Sequence, residues 1–210
     1  MEFKTRPLTP EYGVEVLDVD LAQIDEAMAE TILKSANEHA LLLFRRQSLH
    51  DEDIYRLSAA MGPVEEPAAK SNHSPDFKQV NYISNLNDAE GTFIGNPITN
   101  TDGGWHTDQA FRKNPATLST LFCIINPHTG GGTSFCSTRL GYEALPHDLK
   151  QRLKGLRGQY IPGRSHEVEK IEVTHPVALT NPVNARKTLY VTPGTRGFEG
   201  LDKSESDALK

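Results

Sequence analysis

The stretch from Trp105 to Phe135 reads WHTDQAFRKNPATLSTLFCIINPHTGGGTSF and carries the strongest fold signals of the chain. Its middle part, residues 116–125, is a continuous apolar and β-branched run, which predicts a long buried strand. A glycine turn follows at 130–132, and residues 133–136 predict a second, shorter strand. Short strands separated by turn residues are typical of a β-sandwich or jelly roll.

Helices are predicted on both sides of this stretch. Apolar residues three and four positions apart between Leu21 and His39 indicate a helix with one buried stripe. Asp51 can cap a second helix that Gly62 ends. Two short helices broken at Pro146 are predicted at 138–157. A surface loop is predicted at 158–174 and a last helix at 202–210. Further strands are predicted at 14–21, 40–44, 79–84 and 188–191. The predicted fold is one domain, mainly β with flanking helices, with a jelly-roll-like double sheet.

Composition narrows the classes of function. The formal net charge is −6 in 210 residues, so no basic stripe is available to neutralise nucleic-acid phosphates. No apolar run approaches the roughly 20 residues that span a bilayer, and the first residues lack the apolar middle part of a secretion signal. We therefore expect a cytoplasmic protein without nucleic-acid or membrane partners. Cys123 and Cys136 lack CxxC spacing, which favours reduced, buried thiols.

His106 and Asp108 are the candidate metal ligands. Two residues apart on an extended segment, their side chains leave from the same face. One imidazole and one carboxylate suit Fe(II), and a second histidine would complete a facial triad with three open positions. A structural His–Asp hydrogen bond is the alternative. Thr133 stands 27 residues after His106; its hydroxyl could donate to a bound dicarboxylic acid, or simply begin a strand after a tight turn.

A family resemblance rests on four ordered segments. They are WHTDQAF, NPATLSTLFCIINPHTGGGTSF, YEALPHDLKQRLKGLR and HPVALTNPVNARKTLYV. Together they resemble the taurine dioxygenase family, which includes the 2,4-dichlorophenoxyacetate and alkylsulfate dioxygenases. The resemblance implies a double-stranded β-helix. It also implies an oxidoreductase, a dioxygenase that uses Fe(II), 2-oxoglutarate and O2 to hydroxylate a small, anionic organic substrate with release of succinate and CO2. His106 and Asp108 would bind iron, and Thr133 would contact 2-oxoglutarate.

The chain departs from the family pattern in two places. The third iron ligand, a histidine of a later WDNRxxxH-type motif, and the arginine that pairs with 2-oxoglutarate do not occur in it. We therefore expect the family domain to lack its C-terminal segment here, and the chain as written to be nearly inactive. Taurine-specific members carry an asparagine before the WHTD motif, whereas Asp102 stands here and would repel a sulfonate. Phe111 and His73 are further candidate substrate contacts.

Two other functions are compatible with the residues. One is a non-catalytic β-sandwich binding protein that kept the fold and lost its metal site. The other is a hydrolytic zinc site in a cupin-like barrel, which needs additional histidines at suitable spacing. Family members are commonly oligomers, so a homo-oligomer is expected.

Overall fold

The computed structural model describes residues 2–67, 73–84, 86–92, 104–161 and 172–210. The chain divides into two compact units. The first contains Met1–Thr101 and Thr120–Gly131, and the second contains Asp102–Ser119 and Gly132–Lys210. The single domain remains a prediction.

Two helices of the first unit form where the sequence predicts them. A short 3-10 helix at Leu21–Gln23 precedes α1, Glu26–His39. The Asp25 side chain accepts a hydrogen bond from the Met28 amide at 2.8 Å and so caps α1. Helix α2 spans Asp51–Met61 and ends at Gly62, whose φ of 151° suits only glycine. The predicted cap at Asp51 is wrong by one residue, because His50 is the N-cap and its amide donates to Asp53.

One three-stranded sheet lies beside these helices. Strand β2, Val14–Val16, pairs antiparallel with β1, Thr5–Pro7, and parallel with β3, Leu42–Phe44. Helix α1 connects the two parallel strands, as such a connection requires. The strands predicted at 14–21 and 40–44 are confirmed in part, since both are three residues long. Leu21, Ile32 and Leu57 form the core of this unit.

The second unit contains three helices and two small sheets. Helices α3, Thr138–Ala144, and α4, His147–Arg152, flank Pro146 as predicted. Strand β4, Arg157–Tyr160, pairs with β5, Val173–Pro176, and β6, Ala178–Thr180, pairs with β7, Lys187–Leu189. Helix α5, Lys203–Asp207, begins after its cap Asp202. Leu153, Val177 and Phe198 form the core.

Several predicted strands are absent from the described residues. The runs 116–125 and 133–136 have no regular secondary structure, and Leu121, Ile124 and Ile125 are 64–68% exposed. An apolar run becomes a strand only when another strand pairs with its backbone, and none does in the described part of the chain. Only single bridges mark the strand predicted at 79–84.

Two further predictions need correction. The surface loop predicted at 158–174 is wrong at both ends, because these residues pair in β4 and β5; residues 162–171 lie outside the described chain. Cys123 and Cys136 are free thiols as predicted, but both are exposed and not buried. They lie within the runs 116–125 and 133–136, which form no strand in the described part of the chain and leave their side chains exposed.

Candidate iron site

His106 and Asp108 converge in the second unit. The Nε2 atom of His106 lies 3.4 Å from Oδ1 of Asp108. On the other side of the ring, Nδ1 lies 3.0 Å from the carbonyl oxygen of Gly104, which can only accept, so Nδ1 carries the proton. This hydrogen bond leaves Nε2 on the side of the ring that faces the carboxylate. A backbone carbonyl that fixes the tautomer in this way is typical of metal-binding histidines.

The separation of the pair fits a single metal ion. Two ligand atoms about 2.1 Å from a first-row ion, at right angles to each other, lie about 3 Å apart. The observed 3.4 Å needs only a small adjustment. The side chains of His106 and Asp108 are 67% and 52% exposed, so further ligands can approach. The donor set of one imidazole and one carboxylate fits Fe(II).

Ser119 orients the carboxylate of this pair. Its hydroxyl donates to Oδ2 of Asp108 at 2.6 Å, which leaves Oδ1 for His106 and a cation. Short hydrogen bonds from a hydroxyl to a carboxylate are among the stronger ones in proteins. Ser119 was not predicted as a site residue, because a serine within an apolar run, 11 positions after Asp108, shows no pattern that is typical of a functional site.

Thr107, between the two candidate ligands, faces Tyr190. Burial raises the pKa of Tyr190 to about 12, Tyr160 adds to the rise, and the side chain of Thr107 opposes it. The Tyr190 hydroxyl therefore stays protonated at neutral pH. Thr107 is itself exposed, as are His106 and Asp108 on either side of it. Tyr190 was also missed by the sequence analysis.

Three of the other predicted site residues lie in the described part of the chain. Thr133 is exposed in an irregular segment, and the described residues show no hydrogen bond from it to His106 or Asp108. Phe111 is half-buried in the second unit. His73 belongs to the first unit, where it bridges to Asn81. Asp102 lies outside the described residues.

A complete metal site is not formed within the described part of the chain. No group of three or more histidine, cysteine, aspartate or glutamate side chains there could hold a metal ion. His106 and Asp108 are therefore a pair of candidate ligands, and the described residues place no third candidate ligand beside them. The helices in the described ranges also include none long and apolar enough to cross a membrane.

Relatives of known activity match along the whole chain. The 2,4-dichlorophenoxyacetate dioxygenase of Cupriavidus pinatubonensis, named as alpha-ketoglutarate-dependent, is 27% identical and covers 100% of this chain and 80% of its own. Pentalenolactone F synthase of Streptomyces avermitilis is 32% identical over 92% of this chain and 72% of its own.

Solved structures and a family model agree with these relatives. A taurine dioxygenase from Burkholderia xenovorans superposes with a TM-score of 0.74 at 25% identity, covering 99% of this chain and 70% of that one. AAD-2, solved with Mn(II) and N-oxalylglycine, superposes with a TM-score of 0.72 at 20% identity, covering 99% and 76%. The model of one dioxygenase family matches residues 4–209. The expected resemblance is confirmed: the chain belongs to the taurine catabolism dioxygenase TauD, TfdA family.

Proposed function

We propose that His106 and Asp108 are two of the iron ligands of this dioxygenase. As a family member the protein is a 2-oxoglutarate-dependent dioxygenase, and its cofactors are Fe(II), 2-oxoglutarate and O2. The observation that carries the assignment is the 3.4 Å approach of His106 Nε2 to Asp108 Oδ1, with Nδ1 bonded to the Gly104 carbonyl. Membership of the family favours catalysis over the non-catalytic alternative.

The iron, when bound, supplies the oxidising chemistry, and the protein supplies binding and orientation. His106 presents one neutral nitrogen because Gly104 holds its proton on the other. Asp108 presents one carboxylate oxygen because Ser119 occupies the other. An aspartate at this position also fills the place that a halide would need, which favours hydroxylation over halogenation. Thr133 is proposed to donate from its hydroxyl to a carboxylate of 2-oxoglutarate.

The fold proposed for this chain is a double-stranded β-helix. Its support is the superposition on taurine dioxygenase-type structures with TM-scores of 0.72–0.74. In that fold the apolar run 116–125 would be a paired strand. A cytoplasmic location and a homo-oligomeric state are also proposed.

The proposed substrate is a small organic anion. The relatives' names include a 2,4-dichlorophenoxyacetate dioxygenase and an (S)-phenoxypropionate dioxygenase, both acting on carboxylates, and an alkylsulfatase. Phe111, His73 and Asp102 are the proposed substrate contacts. An aspartate at 102 would repel a sulfonate, which makes taurine an unfavourable substrate, so Asp102 would lie beside a part of the substrate other than its anionic group.

The assignment is tested with His106→Ala and Asp108→Ala in the protein. We expect either change to lower succinate release at least 100-fold and to abolish Fe(II) retention after anaerobic gel filtration, because each removes a ligand. His147→Ala, on exposed α4 of the same unit, is the matched control and should retain both properties. Undiminished succinate release by His106→Ala would refute the assignment.

Calorimetry of 2-oxoglutarate binding distinguishes a dioxygenase site from the binding-protein alternative. A dioxygenase site should bind 2-oxoglutarate much more tightly with Mn(II) than without it, because the keto acid occupies two metal positions. Equal affinity with and without the ion would favour a binding module.

A further inference from the structure

His175 lies at the centre of a buried aromatic cluster in the second unit. It stands on β5 and is 8% exposed. Its ring centroid is 5.5 Å from that of Tyr160 and 5.4 Å from that of Tyr190, where the two rings meet edge to face. His175 opens the HPVAL segment of the family resemblance, and the resemblance implies no metal contact for it.

The imidazole of His175 also pairs with the segment that follows the candidate iron ligands. Its Nε2 lies 2.9 Å from the carbonyl oxygen of Ala110 and 3.0 Å from that of Arg112. Carbonyl oxygens only accept, so the Nε2 proton is shared between them in a three-centre hydrogen bond. One buried side chain thereby connects β5 to residues more than 60 positions earlier in the chain.

Residues 109–112 need such a partner because they form a turn. They belong to no helix or strand, so their carbonyl groups are not satisfied by regular secondary structure. Gln109 has a φ of 55°, in the left-handed region, and the Arg112 amide closes the turn by donating to the Gln109 carbonyl at 2.9 Å. A non-glycine residue keeps this conformation only when its surroundings hold it. The turn begins directly after Asp108.

The cluster around His175 prevents its ring from turning away. Gly158 lies opposite His175 in the β4–β5 register, and a Cβ atom there would be 3.4 Å from the Tyr160 ring. The missing side chain gives Tyr160 room to pack on the histidine. The Tyr160 hydroxyl in turn donates to the Tyr190 carbonyl at 2.5 Å. The imidazole is therefore held in position on both sides.

We propose that His175 is a positioning residue of the iron site: its Nε2 proton holds the turn after Asp108 and so fixes the direction in which the Asp108 carboxylate leaves the chain. The inference rests on the proposed role of His106 and Asp108. It gives a residue without contact to the metal or to its candidate ligands a specific effect on metal affinity, transmitted by the backbone of the turn.

A purely structural role of His175 predicts a different experimental result. If His175 only fills the core, its replacement lowers stability as any core change does and leaves the turn and the metal affinity alone. Val177→Ala provides this comparison, because Val177 is 1% exposed in the core of the same unit, two residues further along the chain.

The test uses His175→Phe, which keeps a ring without a donor, and His175→Gln, whose amide can again donate to both carbonyls. The first readout is hydrogen exchange of the amides of residues 109–113 in the metal-free protein. The second is Mn(II) affinity, followed through the fluorescence of Trp105. This residue is the sole tryptophan of the sequence and precedes His106 directly. Phe should speed exchange and weaken Mn(II) binding 10- to 100-fold. Gln should restore both to within about threefold of wild type.

Each outcome decides the proposal. Should His175→Phe not fold, His175→Asn replaces it, because its shorter amide does not reach the position of Nε2. The proposal is overturned if Phe or Asn behaves like Val177→Ala, or if Gln is no better than Phe. If wild type shows no Mn(II) response at all, the proposed iron site fails, while the exchange data still decide whether His175 holds the turn.

Discussion

Ser119 is the residue whose single contact bears most directly on the carboxylate of Asp108. Its hydroxyl holds Oδ2 at 2.6 Å, and both side chains are exposed enough to move without it. We expect Ser119→Ala to weaken Mn(II) binding about 10- to 100-fold, as loss of an outer partner of a ligand does. The unfolding free energy should change by only about 1 kcal/mol, the net worth of one hydrogen bond. A titration followed by Trp105 fluorescence measures the first effect, and urea unfolding measures the second.

The control for this residue is Ser58→Ala in α2. That hydroxyl makes a comparable but longer bond, 3.4 Å to Thr120, in the other unit. Its loss should leave Mn(II) affinity unchanged. Equal affinities for wild type and Ser119→Ala would mean that Asp108 is oriented by the backbone alone.

At the scale of an element, the first sheet is tied together by one buried carboxylate. Glu15 on β2 lies opposite Arg6 on β1 and accepts from it at 2.5 Å, and Arg45, next to β3, lies 3.5 Å away. The hydrogen bond from Arg6 lowers the pKa of Glu15 below its ordinary 4.5, although burial opposes this shift. All three strands of the sheet are thus linked by a single charge.

The lowered pKa predicts how the stability of this sheet depends on pH. A carboxylate with a lower pKa in the folded state stabilises the fold above its unfolded pKa, and this contribution is lost as the pH falls through the folded value. Glu15→Gln should therefore be less stable than wild type at neutral pH, and the gap should shrink below about pH 4.5. Urea midpoints between about pH 7 and pH 3 test this. Glu30→Gln, exposed on α1, should match wild type throughout, whereas a constant gap for Glu15→Gln would contradict the prediction.

At the scale of the whole molecule, metal and cosubstrate binding should be visible as stability. A ligand that binds only the folded state at 100 times its dissociation constant adds about 2.7 kcal/mol. For a chain of this size that is a rise in Tm of about 5–10 °C. We expect Mn(II) with 2-oxoglutarate to produce this rise in the protein, and EDTA to reverse it.

The variants of the pair are the controls for this measurement. His106→Ala and Asp108→Ala should show no rise with Mn(II) and 2-oxoglutarate, whereas Ser58→Ala should behave like wild type. A full thermal shift in His106→Ala would place the bound ion elsewhere in the molecule.

Features decided by nearby residues could be predicted from the sequence. Helix α1 follows from its apolar spacing and the cap at Asp25, and α2 ends where Gly62 adopts a φ closed to other residues. The approach of His106 to Asp108 was also predictable from nearby residues, because residues two apart on an extended segment are expected on one face. The resemblance to the family was equally available, since it depends on ordered motifs.

Only the tertiary structure decided features that join distant parts of the chain. The apolar run 116–125 has strand propensity, but a strand requires a pairing partner, and propensity does not show whether one is there. Ser119 and His175 support the candidate site from 11 and 67 residues beyond Asp108, and neither position carries a local pattern that marks it. The sequence alone was enough to predict that His106 and Asp108 lie close together and to identify the family. The contacts that hold these two candidate ligands in place required the tertiary structure, because hydrogen bonds between distant segments exist only once the chain has folded.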